Sequence, residues 1–118
     1  MGNFIDLFSS RPILNEAIEE LYEKSKKDPH RSLYLSVIFQ ALLDVTKPKI
    51  EDEKNEMQLL RDQAHAWFFT SVGVTCENFE FICTYAGLPV DHVRRFVSHV
   101  INSDNLPHIR QQIIKLLG

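Results

Sequence analysis

The twenty residues from Phe79 to Ser98, FEFICTYAGLPVDHVRRFVS, constrain this chain more than any other stretch. Ile82 and Ala86 share one face of a first short helix, and Cys83 offers a small side chain where a second helix crosses close. Gly87 ends the first helix, because glycine enters the left-handed backbone conformation of a sharp turn without a steric penalty. Leu88 fills the space between the helices, and Pro89 stands where a missing N–H costs least. Val93, Phe96 and Val97 then return to the core. The spacing predicts a helix-turn-helix over about 76–101.

The same spacing turns Val90, Asp91, Arg94, Arg95 and Ser98 away from the core, with His92 beside them. In a groove-binding geometry these six are the candidate DNA-facing residues. Arg94 and Arg95 carry the expectation, since each guanidinium can fork onto a guanine edge or clamp a phosphate, while Ser98 and His92 would add phosphate hydrogen bonds. The plainer expectation is an exposed helix face on which Asp91 pairs with the arginines three and four residues on.

Charge argues against indiscriminate binding of nucleic acid. The net charge is −3 and the pI about 5.9, whereas non-specific association rests on phosphate neutralisation. The imbalance sits in residues 1–59, with eight Lys or Arg against eleven Asp or Glu. Residues 60–118 carry five of each, together with His65, His92, His99 and His108. A local basic patch, doubled in a homodimer on double-stranded DNA, remains compatible with that distribution.

The rest of the chain reads as helix. Phe4, Ile5, Leu7 and Phe8 make Asn3–Ser9 an apolar arm that docks on its own core or on a partner. Ser10 is a candidate N-cap, with Pro12 just inside a helix whose stripe of Ile13, Leu14, Ala17, Ile18, Leu21 and Tyr22 runs to Asp28-Pro29. Glu16, Glu19, Glu20 and Glu23 form its solvated face. Ser32 to Val45 is apolar nearly all round, which predicts a central buried helix closed by Lys47-Pro48-Lys49.

Ile50–Asn55 is a charged loop or a first helical turn. Met57, Leu60, Ala64, Trp67 and Phe68 mark a further helix, broken at Val72-Gly73-Val74, and Thr75 is the expected N-cap of the helix-turn-helix. Asp104 or Asn105 caps a last helix with Pro107 in its first turn and a stripe of Ile109, Ile113, Leu116 and Leu117. The aromatic residues Trp67, Phe68, Phe69, Phe79, Phe81 and Tyr85 are expected in the core. The fold class is therefore all-α, a compact bundle of five or six helices in a single domain of 118 residues.

Several functions lack their residues. Cys76 and Cys83 are spaced neither as a CxxC redox pair nor as a zinc knuckle, and they read as reduced thiols in a cytoplasmic protein. His92 and His99 lie two helical turns apart, too far to chelate one ion, so no metal and no cofactor is expected. Pairing Cys76 with His65, or Glu77 with Glu80, gives no supported catalytic motif, and the chain does not read as an enzyme. Met1-Gly2-Asn3-Phe4-Ile5-Asp6 has Asp6 where a myristoylation signal needs Ser or Thr. The run Leu33–Val45 is interrupted by Ser36, Gln40 and Asp44, so no membrane span is expected.

Taken together, Ala64, Trp67-Phe68 and Ser71, then Phe79, Phe81 and Cys83, then Gly87-Leu88 and Val93-Arg94-Arg95 resemble a set of small phage- and prophage-associated bacterial proteins. The resemblance covers about residues 33–97. It implies a bacterial or phage origin and a regulatory role. The hairpin separately resembles the helix-turn-helix of transcription regulators, including the DNA-reading helix of sigma factors, where a Val-Arg pair stands much as Val93-Arg94 does. Pro89 and Val90 depart from that pattern, which more often has polar residues there. The expectation from sequence is a dimeric DNA-binding transcriptional regulator. Its rival is a small helical protein-interaction module acting on a host or regulatory protein, such as a transcription component, with the hairpin as scaffold only.

Overall fold

A computed structural model describes residues 14–118 as six helices and, within those residues, no strand. They are α1 (Leu14–Ser25), α2 (Pro29–Val45), α3 (Asn55–Phe69), α4 (Gly73–Ala86), α5 (Val90–Ile101) and α6 (Leu106–Leu117). The all-α expectation holds. The apolar arm at Asn3–Ser9 and the capping role of Ser10 lie outside the described residues.

Helix α2 is the hub, packing against α1, α3, α4 and α6. Its Phe39 and Leu42 meet Phe68 of α3, Phe79 of α4, Val97 and Val100 of α5, and Ile109 and Ile113 of α6 in one core cluster. Each fully buried side chain of this size stabilises the fold by roughly 1.5–3 kcal/mol relative to exposure. Two edge-to-face contacts, Trp67 on Phe79 at 4.9 Å and Phe68 on Phe79 at 5.8 Å, lock α3 onto α4. The Trp67 indole N–H completes that join by donating to Asn78 at 2.7 Å.

The ends of the helices differ from expectation in three places. Helix α2 begins at Pro29 rather than Ser32, because the Asp28 carboxylate accepts from the N–H groups of His30 at 3.0 Å and Arg31 at 3.4 Å. Asp28-Pro29 thus closes one helix and opens the next. Helix α4 starts at Gly73 with Val72 at the cap position and no side-chain cap, so Thr75 lies within the helix. Asn105 does stand at the cap position of α6, but its side chain makes no cap hydrogen bond.

The charged stretch after α2 is tied down by a buried arginine. Arg61 of α3 donates to the Lys47 carbonyl at 3.4 Å and to Gln58 Oε1 at 3.0 Å, and it also pairs with the Glu53 carboxylate. That hydrogen bond holds the Glu53 carboxyl below its usual pKa, with the Ile50 N–H helping. No helix among the described residues is long and apolar enough to cross a membrane.

Candidate interaction surface

The turn between α4 and α5 follows from Gly87. Its φ of +77° is left-handed, its N–H donates to the Thr84 carbonyl at 3.0 Å, and the Leu88 N–H donates to the Cys83 carbonyl at 2.9 Å. This is the Schellman arrangement, which satisfies two carbonyls that a helix end otherwise leaves bare. Cys83 is fully buried where small size was expected, and Ile82, Ala86, Val93, Phe96 and Val97 are all core residues. Pro89 takes the N-cap position of α5 in an extended conformation.

The six candidate DNA-facing residues separate into two groups. Asp91, Arg95 and Ser98 are exposed and, with Asn102, form one strip along α5. Val90 is half-buried and packs against the core, and His92 is half-buried.

Arg94 departs most from its expected outward direction. Its Nε donates to the Phe68 carbonyl at 2.8 Å, and its Nη2 donates to the Thr70 carbonyl at 3.1 Å and approaches the Cys76 sulfur at 3.8 Å. The guanidinium also lies over the Phe79 ring, 5.0 Å from its centroid. Arg94 is therefore a staple that closes the C-terminal end of α3, where carbonyls and the helix dipole favour a cation. No ion pair joins Asp91 to either arginine among the described residues. What α5 offers a phosphate backbone is a single exposed cation, Arg95, one turn from the carboxylate of Asp91.

A different face collects what the core does not. On α4, Cys76, Phe79, Ile82, Cys83 and Ala86 are buried, which leaves Phe81 and Tyr85 on the other side of the helix with 47% and 52% of their surfaces exposed. Their rings lie 4.5 Å apart, and Tyr34 of α2 meets them at 6.0 and 5.4 Å. These two aromatics were expected in the core and are instead at the surface. The same inversion occurs on α2, where Leu35, Ile38, Phe39 and Leu42 are buried while Leu33 is 62% and Val37 40% exposed. Helix α2 is thus central without being buried all round. Leu33, Val37 and Ala41, with Ser36, Gln40 and Asp44, line a shallow concavity of about 410 Å³. Tyr34 and Val37 are three residues apart on one helix, so the aromatic trio and the concavity form one continuous apolar surface.

Cys83 is fully buried on the core-facing side of α4. Burial pushes its thiol up to about 12, against a smaller pull from the Arg94 charge. Such a thiol stays protonated and inert near neutral pH. No protein-family model, curated protein or solved structure matches the chain.

Proposed function

We propose that this protein is a helical interaction module that associates through the apolar face of α2 and α4, with a second copy of the chain as its partner. The carrying observation is the exposed aromatic trio Tyr34, Phe81 and Tyr85 running into Leu33 and Val37. Exposed apolar side chains scattered singly need no explanation, but a continuous patch of this kind marks a contact surface. Aromatic residues dominate the energetics of such surfaces because they bury a large area while losing few rotamers.

A twofold arrangement suits the polar groups at the rim. Leu33, Tyr34, Val37, Phe81 and Tyr85 include no charged group, while His30 and Asp44 stand at opposite ends of α2, about four helical turns apart. Two α2 helices laid antiparallel would bring each Asp44 beside the other copy's His30, the self-complementary pattern of an isologous dimer. Sedimentation velocity tests the proposal. The expected result is a concentration-dependent dimer that added salt barely disturbs and that Phe81→Ser combined with Tyr85→Ser abolishes. A monomer at every concentration would overturn it.

A second reading, a DNA-binding regulator working through α5, is favoured by the Gly87 turn and by the outward strip of Asp91, Arg95 and Ser98. It predicts duplex binding that weakens steeply with salt and falls on Arg95→Ala. Arg94 is unsuitable for that test, since its removal unfastens α3.

A further inference from the structure

On the side of the molecule formed by the end of α2 and the start of α6 is a partly enclosed pocket of about 390 Å³. Its apolar walls are Pro48, Leu106, Pro107 and Ile114, and Thr46 and Arg110 line it as well. That volume falls within the roughly 300–1,000 Å³ typical of small-molecule sites. Only one nitrogen of Arg110 is used by the fold. Its Nη1 donates to the Leu43 carbonyl at 2.6 Å and to Thr46 Oγ1 at 2.7 Å, and Thr46 Oγ1 itself donates to the Leu42 carbonyl at 2.7 Å.

Among the described residues, no carboxylate lies within ion-pair distance of Arg110, and its Nε and Nη2 have no hydrogen-bond partner. Neither atom is shut away from solvent. The Nε–Nη2 edge of a guanidinium is a planar two-donor fork that matches a carboxylate. Burial disfavours the Arg110 charge, and the Asp44 carboxylate offsets this only in part. A half-buried cation in a largely apolar pocket thus has a free two-donor edge and no carboxylate in contact with it.

We propose that this pocket binds the carboxylate of an amphipathic molecule, with the head on the Nε–Nη2 edge of Arg110 and an apolar tail between Pro48, Leu106 and Ile114. A free fatty acid and the C-terminal carboxylate of a peptide ending in an apolar residue share that chemistry. The proposal rests on the geometry of this pocket and not on association through the α2–α4 face, although Asp44 borders both.

The test is titration of the isotopically labelled protein, followed by amide NMR, with four probes: sodium octanoate, octan-1-ol, acetyl-Leu-Leu and acetyl-Leu-Leu amide. The expected result is that at least one carboxylate perturbs the amides of Thr46, Leu106, Arg110 and Ile114, while its neutral counterpart does not. Binding by octanoate alone identifies a free fatty acid as the source, and binding by acetyl-Leu-Leu alone identifies a peptide terminus. Two variants sharpen the readout. Arg110→Gln removes the fork, and Ile114→Glu places a competing negative charge at the mouth while leaving the Arg110–Leu43 bond intact. Each is expected to weaken carboxylate binding roughly 10- to 100-fold, as loss of a charged hydrogen bond implies. If Arg110→Gln fails to fold, Ile114→Glu still decides. The proposal is overturned if octanol binds as tightly as octanoate, if the Ile114→Glu variant binds undiminished, or if neither carboxylate perturbs these amides at about 10 mM, the millimolar edge of measurable affinity.

Discussion

Adjacent arginines have opposite fates in this fold. Arg94 has its guanidinium on the carbonyls of Phe68 and Thr70, whereas Arg95, next in sequence, is exposed. Arg94→Ala should therefore lower unfolding stability by about 1–3 kcal/mol, because two carbonyls lose a charged donor, while Arg95→Ala should change it by no more than about 0.5 kcal/mol. Urea denaturation of the two variants side by side checks this. Helical phase separates the pair only in degree, with Arg95 opposite the core residues of α5 and Arg94 on its flank beside Val90. The partners that capture Arg94 are backbone carbonyls 26 and 24 residues away, which carry no side-chain signature. Cys83 gives a second residue-level prediction. Its pKa is raised from 9.0 to about 12 by burial, so well below pH 9 the folded and unfolded thiols are both protonated and it contributes no pH dependence. Above that, the unfolded chain releases the proton while the folded one keeps it. Stability then falls with rising pH by about 1.4 kcal/mol per unit until the folded thiol also ionises. Cys83→Ala should remove that part of the alkaline slope, measured as the difference between wild-type and variant denaturation series from pH 8 to 11, about the window where the thiol titrates.

At the level of elements, the Gly87 turn was the most legible part of the chain, because a left-handed residue between two amphipathic runs has few alternatives to glycine. Gly87→Ala should destabilise by about 1–2 kcal/mol through its φ of +77°. The new methyl would also sit 3.0 Å from the Arg31 guanidinium, whose flexible end can move aside. Asp28→Ala should cost about 1 kcal/mol by stripping the cap of α2. Chemical denaturation midpoints test both. Asp-Pro serves equally as a helix stop and a helix start, and only the carboxylate's position over two N–H groups sets the start of α2 at Pro29. Aromatic type alone points Phe81 and Tyr85 to the core, whereas the phase of Cys76, Phe79, Ile82, Cys83 and Ala86 puts them on the far side of α4. On α2, overall apolarity concealed the same division between Leu35, Ile38, Phe39 and Leu42 inside and Leu33 and Val37 outside.

Across residues 14–118, the exposed side chains support the reading of a protein contact better than that of a nucleic-acid contact. The net charge is −3, and the helix expected to read DNA keeps one exposed arginine beside an aspartate, whereas Leu33, Tyr34, Val37, Phe81 and Tyr85 of α2 and α4 lie together at or near the surface. Each neutralised phosphate adds close to one unit to the salt slope of binding. Any duplex binding by α5 should therefore show a slope of magnitude about 1–2 per chain, measurable by fluorescence anisotropy at several ionic strengths and reduced by Arg95→Ala. A much steeper slope would mean that a basic surface other than α5 binds the duplex. Most of the fold could be read from helical periodicity, which reports on local burial. The site could not, since it depends on which helix faces remain uncovered once six helices have packed. The most direct test is sedimentation velocity of the wild-type chain and the Phe81→Ser, Tyr85→Ser variant at low and high salt. A wild-type dimer at both salts and a folded, monomeric variant is the predicted result. A wild-type monomer throughout, or association that salt dissolves and the double variant leaves intact, would contradict it.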